Sequence, residues 1–159
     1  MTGAEYTLEE ISYSRKEHRR IMESVLTNWF VDPKALNFFS PESKYPFKFK
    51  KWVRLHYSKD ILNITTIVLK HNEWIIGHVS LKTKKGRSEL LHLFIDLKYR
   101  KKGLGLRLLQ EIENYGIKSG IKSIRAAAPK RNITYKKFLE RSGYKYKISN
   151  PKLMIKKLY

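Results

Sequence analysis

The stretch from Leu93 to Leu109 constrains this chain more than any other. An apolar run (Leu93, Phe94, Ile95) leads into Tyr99, Arg100, Lys101, Lys102, Gly103, Leu104 and Gly105, and then into an amphipathic segment. That order reads as a strand, a basic glycine loop and the start of a helix. A helix N-terminus leaves its first N–H groups without intrahelical partners and carries the positive end of the macrodipole, so anions settle there. Gly103 and Gly105 let the backbone turn tightly and approach an oxygen with no Cβ in the way, while Arg100, Lys101 and Lys102 add full charges. A diphosphate suits such a loop. The spacing Arg-x-x-Gly-x-Gly lacks the third glycine of the dinucleotide fingerprint and the Gly-Lys-Ser/Thr ending of the P-loop, which disfavours a nicotinamide cofactor and ATP.

The rest of the chain alternates strands with helices, which makes the fold class α/β. Tyr6 to Ser12 reads as a strand. Ser14 is placed to cap a helix from Arg15 to about Asn28, with Glu17 at the capping-box position and Ile21, Val25 and Leu26 as its apolar stripe. Asp32-Pro33, Ser40-Pro41 and Tyr45-Pro46 break the chain into a loop-rich stretch. Phe47 to Ser58 reads as a basic, aromatic helix, with Phe49, Trp52, Val53 and His56 at helical spacings. Ile61 to Lys70 and Glu73 to Lys82 form a hairpin about His71-Asn72, and the turn Lys84-Lys85-Gly86-Arg87 leads to the strand Ser88 to Asp96. A helix from Gly103 to about Lys118 buries Leu104, Leu108, Leu109, Ile112 and Tyr115, and Gly116 and Gly120 surround its end. Then come the strand Ile121 to Ala127, a break at Pro129, a helix Thr134 to Ser142, and the strands Tyr144 to Ile148 and Leu153 to Leu158.

Composition narrows the classes. A chain of 159 residues with 42% apolar content fits a single domain with a sizeable core and argues against disorder. Cys is absent, which excludes disulfides, thiolate metal sites and an acyl-cysteine mechanism. No His, Asp and Glu cluster has metal-ligand spacing, so no metal is expected. Met1 to Glu10 is acidic and has no apolar core of a secretory signal, and the apolar run near Ile61 to Leu69 is too short to span a bilayer. A cytoplasmic protein with no membrane contact is expected. Net charge is +20, unevenly spread. Residues 1–80 hold 12 basic and 9 acidic side chains, whereas residues 81–159 hold 22 and 5. The excess sits with the phosphate loop, where it steers an anionic ligand and leaves charge over for an acidic surface, a nucleic acid or the ribosome.

Arg100, Gly103 and Gly105 fill the defining positions of the pattern Arg/Gln-x-x-Gly-x-Gly/Ala, and the segment resembles the pyrophosphate-binding loop of the GNAT family of N-acetyltransferases. Trp74 to Lys82, with its IIGHVSL run, is similar to a family strand, Asn132 to Ser142 to a family helix, and Gly143-Tyr144 to that helix's Gly-aromatic end. The resemblance is close over residues 61–159 and loose over 1–60. It implies a GNAT fold, a mixed, mostly antiparallel, V-splayed sheet flanked by helices, with residues 1–159 as one domain. It also implies acetyl-CoA as cofactor, its pantetheine arm pairing with the backbone of Leu93, Phe94 and Ile95 as an added strand. The loop from Arg100, Lys101 and Lys102 to Gly103, Leu104 and Gly105 takes the diphosphate, and Asn132 and Phe138 complete the cofactor set.

The chemistry implied is direct attack of a primary amine on the thioester, which needs a base for the ammonium proton and is helped by an acid at the departing thiolate. Oxyanion stabilisation is expected from a backbone N–H near Phe94 or Ile95. Glu89 matches a position where some protein-acetylating members carry a catalytic Glu, and an apolar strand around it would suit a base. His92, on the opposite face by strand alternation, is the second choice. The family's Tyr acid is replaced by Leu139, and Tyr135, one turn earlier on the same face, is either the substitute or a packing residue. The expected acceptor is a protein lysine or N-terminus, because a charge of +20 repels polyamines and cationic aminoglycosides at long range. The alternatives are a small-molecule amine held in an acidic pocket, and a non-catalytic GNAT-like nucleic-acid module using the aromatic, basic segment Tyr45 to Tyr57. A monomer or homodimer is expected.

Overall fold

The computed structural model of the protein describes residues 5–84, 87–128, 132–147 and 149–159. The expected turn residues Lys85 and Gly86, the break at Pro129 and the strand end at Ile148 lie outside them. The elements are β1 (Tyr6–Ile11), α1 (Lys16–Trp29), α2 (Pro33–Phe39), α3 (Phe49–His56), β2 (Ile64–His71), β3 (Trp74–Lys84), β4 (Arg87–Ile95), α4 (Leu104–Lys118), β5 (Ser123–Ala127), α5 (Ile133–Arg141), β6 (Lys145–Lys147) and β7 (Asn150–Lys157).

The strands lie side by side in the order β1-β2-β3-β4-β5-β7-β6. All neighbours are antiparallel except β4 and β5. That one parallel pair is joined through α4, which crosses the sheet as a parallel connection requires. Each face carries its own core. Leu69, Leu81, Leu90 and Ile124 pack with Leu108, Leu109 and Ile112 of α4 and Leu139 of α5. On the other face Val68 and Phe94 meet Met22 and Leu26 of α1, Leu36 and Phe39 of α2, and Trp52 and Val53 of α3. Gly77 lets α4 close on the sheet: a Cβ there would lie 2.8 Å from Ile95 Cδ1 and 3.3 Å from Leu108 Cδ2.

Four local expectations change. Ser14 does not cap α1; Arg15 holds the N-cap position without a side-chain bond, and Ser14 Oγ pairs with Ser12 Oγ at 2.7 Å. The buried stripe of α1 is therefore Met22, Leu26 and Trp29, while Ile21 is 51% exposed. Asp32-Pro33 starts a helix as well as breaking the chain: Asp32 Oδ1 accepts from Lys34 N–H at 3.0 Å and Pro33 fills the first turn of α2. Ile61 to Asn63 forms a 3₁₀ turn, with Asn63 N–H bonded to Asp60 O at 2.8 Å, so β2 begins at Ile64.

Candidate functional site

The parallel strands β4 and β5 stay together for two pairs, Glu89 with Arg125 and Leu90 with Ala126. β4 then continues to Ile95 with no strand paired to its outer edge among the described residues, which opens a gap between the two. Asp96 N–H donates to Ile76 O at 2.8 Å, and Ile95 stands opposite Gly77. Bonded and non-bonded pairs alternate along an antiparallel ladder, so Phe94 turns its backbone to β3 and Ile95 turns its N–H into the gap. Of the three backbone positions expected to pair a ligand, Phe94 is thus spent on the sheet. Its ring joins the aromatic core, 5.1 Å from Trp29 and 5.4 Å from Phe30. Leu93 leans the other way, half-buried against the α4 core.

At the end of β4 the basic loop folds back on the strand. Arg100 Nε donates to Ile95 O at 2.9 Å, and the guanidinium lies 4.9 Å from the Phe94 ring centre. Burial draws the Arg100 pKa down from its ordinary value, with Asp96 opposing. Lys101 and Gly103 take left-handed φ of 65° and 76°, and Lys102 Nζ sits 5.5 Å over Tyr99. Gly103 caps α4 with no side-chain bond, and the first bond of the helix runs from Arg107 N–H to Gly103 O. The amides of Leu104, Gly105 and Leu106 therefore find no acceptor among the described residues. Buried Leu104 pins the helix start to the core. A Cβ on Gly105 would stand 3.6 Å from two Phe138 ring carbons and 3.8 Å from Ile95, so these three wall one end of the gap. Asn132 Oδ1 accepts from Tyr135 N–H at 3.1 Å, which makes Asn132 the N-cap of α5.

Beside the gap β4 carries a bulge. His78 faces Phe94 but Ser80 faces Leu91, so one residue too many fits between, and His92 takes a φ of 53°. The bulge reverses the expected alternation: Glu89 opposite Lys82, Leu91 opposite Ser80, and His92 all lie on the α1–α3 face. The His92 ring stacks on Phe39 at 4.9 Å and stands 4.9 Å from His56 and from Trp52. Its Nδ1 is 2.9 Å from Tyr57 Oη, which is 2.8 Å from Ser80 Oγ, itself 2.8 Å from Thr66 Oγ1. Its carbonyl oxygen is 2.8 Å from His78 Nδ1, and His78 Nε2 is 2.9 Å from Tyr13 Oη. Burial lowers the His78 pKa to about 4. Burial, then the neighbours His56 and His78, drive His92 well below the ordinary imidazole value. Burial raises Tyr13 and Tyr57. Both imidazoles are neutral and both phenols protonated near pH 7. The sequence hinted at this cluster only through polar residues on apolar strands (Thr66, His78, Ser80); Tyr13 and Tyr57 gave no signal.

Glu89 is exposed rather than apolar in setting, and with Lys82, Lys84, Arg87, Ser88 and Arg125 it lines an open pocket of about 530 Å³. Asp60 takes up part of that positive charge, 3.0 Å from Lys82 Nζ and 3.8 Å from Lys84 Nζ. Tyr135 packs half-buried against the α4 core, and burial raises its pKa. Leu139, in the place of the expected acid, is fully buried. Among the described residues no three His, Asp or Glu side chains converge as metal ligands, and no helix is long and apolar enough to cross a membrane.

The family model described as the acetyltransferase (GNAT) family matches residues 21–144. No curated protein sequence matches the chain. Among solved structures, the fold is similar to the PaiA N-acetyltransferase of Thermoplasma acidophilum in complex with coenzyme A, at 22% identity and a TM-score of 0.71, covering 96% of this chain and 99% of that one. It is similar to the ribosomal-protein-S18-alanine N-acetyltransferase of Escherichia coli, at 13% identity, a TM-score of 0.66 and coverage of 97% and 94%. Tetrahymena GCN5 follows at 15% identity, a TM-score of 0.67 and 96% of both chains.

Proposed function

This chain belongs to the acetyltransferase (GNAT) family, and we propose that it transfers the acetyl group of acetyl-CoA to a primary amine on a protein, a lysine or an N-terminus. The observation that carries the reading is the gap where β4 leaves β5, set beside the start of α4, whose N-cap Gly103 has no side chain to meet the first amides. Unpartnered amides at a helix start suit an anion, and the unfilled side of Gly105 suits a slender arm. The residues present thus fit the cofactor that the similar Thermoplasma structure holds. Acetyl-CoA supplies an activated acyl thioester. The loop from Arg100, Lys101 and Lys102 to Gly103, Leu104 and Gly105 would hold its diphosphate, and Leu93, Ile95, Asn132 and Phe138 its arm.

An ammonium cannot attack, so the amine must first lose a proton. Glu89 is the base in this reading, its carboxylate exposed to water on β4. The Ile95 N–H, turned into the gap, is the backbone donor for charge building on the carbonyl oxygen. Leu139 cannot donate a proton to sulfur. Tyr135 keeps its proton because burial raises its pKa, and it is the remaining phenol on α5 for that role. A thiolate is also a tolerable leaving group without an acid, its ordinary pKa of about 8.5 lying far below that of an alcohol. A protein amine is favoured because a charge of +20 repels polycationic small amines, and one structural neighbour is named as an acetyltransferase of a ribosomal-protein alanine.

Calorimetric titration with acetyl-CoA, desulfo-CoA and bulk RNA, at low and moderate salt, tests the reading. Acetyl-CoA binding that survives salt is expected. Absence of cofactor binding, with salt-steep RNA binding in its place, would make the chain a nucleic-acid module on this fold.

A further inference from the structure

The polar groups under the β4 bulge can be followed proton by proton, and they admit one arrangement. A carbonyl oxygen can only accept. His78 Nδ1 must therefore donate to His92 O, His78 Nε2 must accept, and the Tyr13 hydroxyl must donate to it. The second arm starts at Thr66. Its hydroxyl is buried and Ser80 Oγ is its one partner among the described residues. If Ser80 donated to Thr66, the Thr66 proton would be left buried without an acceptor, a cost of roughly 1–3 kcal/mol. Thr66 therefore donates to Ser80, Ser80 to Tyr57, and Tyr57 to His92 Nδ1. With Nδ1 accepting, a neutral His92 carries its hydrogen on Nε2. That atom has no partner among the described residues, and His92 is only partly buried.

Two independent arms thus end on one residue, one on its carbonyl and one on its ring. That residue is held in a left-handed conformation that a non-glycine residue adopts at a cost of about 1–3 kcal/mol. It stands just past Leu90, the last residue of β4 paired with β5. We infer that His92 serves the acyl-transfer site as a neutral hydrogen-bond donor through Nε2–H, directed at the carbonyl oxygen under attack, and not as the base. The inference rests on the acetyltransferase reading above for its substrate, though the tautomer itself does not. A neutral imidazole polarises a carbonyl effectively when its surroundings keep it from becoming imidazolium. Here those surroundings are His78 on β3, His56 and Tyr57 at the end of α3, and Tyr13 beyond His78; none brings a negative charge to the ring.

The role moves no proton. The Nε2–H bond is shared with oxygen while charge builds there and is released unchanged. Of the two protons the ammonium loses as the N–C bond forms and the C–S bond breaks, one goes to Glu89 and on to water, the other to sulfur. Tyr57, Ser80 and Thr66 act through His92 and are positioning residues.

Long-range imidazole ¹⁵N spectra of the free protein read the tautomer without any substrate. The expected result is Nε2–H at pH 7 in the wild type and a mixture of both tautomers in Tyr57→Phe. An Nδ1–H tautomer or an imidazolium in the wild type overturns the inference. The second arm uses carbonyl-labelled acetyl-CoA, whose bound C=O stretch should be lower in the wild type and in His92→Gln, where an amide N–H replaces Nε2–H, than in His92→Leu. Turnover should follow, with His92→Leu down about a hundredfold and His92→Gln close to wild type. If His92→Gln is as inactive as His92→Leu and the pH profile flattens in both, His92 is a base and the inference fails. A protein that binds no acetyl-CoA sinks the acetyltransferase reading and the carbonyl assignment with it, while the tautomer spectrum still reports on the hydrogen-bond chain.

Discussion

Gly105→Ala separates the stability of this protein from its ligand affinity. The added methyl group would meet Phe138 ring carbons at 3.6 Å and Ile95 at 3.8 Å, which is ordinary van der Waals contact. Gly105 lies in the first turn of α4 with no left-handed φ to lose. Alanine gains about 0.5–1 kcal/mol over glycine inside a helix, and less in a first turn. The expected change is therefore neutral to stabilising by a few tenths of a kcal/mol. Since about 1 kcal/mol moves the Tm of a 150–250-residue protein by 2–4 °C, the shift should stay within about 2 °C of wild type. The same methyl group occupies the end of the gap, beside amides that have no acceptor among the described residues. Acetyl-CoA affinity should fall at least tenfold, about 1.4 kcal/mol. Thermal unfolding and calorimetric titration of the two proteins check both halves. A destabilisation above about 2 kcal/mol would mean the site is overpacked, contrary to the distances. An unchanged Kd for acetyl-CoA would remove the α4 start from the binding site.

Gly103→Ala should do the reverse to stability: its φ of 76° with open space around it makes the cost pure backbone strain, about 1–2 kcal/mol, read as a lower Tm with no repacking. Lys156→Met should destabilise by about 3–5 kcal/mol, because it leaves buried Glu113 with only the Tyr144 hydroxyl at 2.8 Å in place of an ammonium at 2.9 Å; urea midpoints check this, and a loss under 1 kcal/mol would refute the pairing. Stability should peak between about pH 6.5 and 10. His78 is depressed from 6.5 to about 4 on folding, so its contribution is present above 6.5 and lost as the pH falls toward 4, about 3 kcal/mol in all. Tyr13, Tyr57, Tyr135 and Tyr144 are raised above 10, so theirs is present below 10 and lost as the pH climbs past it. Denaturation midpoints from pH 4 to 11 test both limbs, and a flat acid limb would show that His78 is not buried in its neutral form.

The α4 segment was legible because its signals are local. Leu104, Leu108, Leu109 and Ile112 repeat at helical spacing, and all four are buried as that spacing demands. The order strand, glycine loop, helix likewise depends only on neighbours in the chain, which is why Arg100, Gly103 and Gly105 mark the loop unaided. Asp32-Pro33 carried a helix-start signal as well as a break, and read as a break alone it hid α2. By itself the sequence determined the α/β class, the anion-suited loop and the resemblance to a family. The tertiary structure decided what each site residue faces. The bulge at His92 arises from the register between β3 and β4, a pairing of residues far apart in the chain, and one extra residue moves a side chain to the other face of a sheet. Glu89 in the open and the hydroxyl chain from Thr66 through Ser80 and Tyr57 to His92 follow from pairings across β2, β3, β4 and the end of α3, and no periodicity along one strand encodes them.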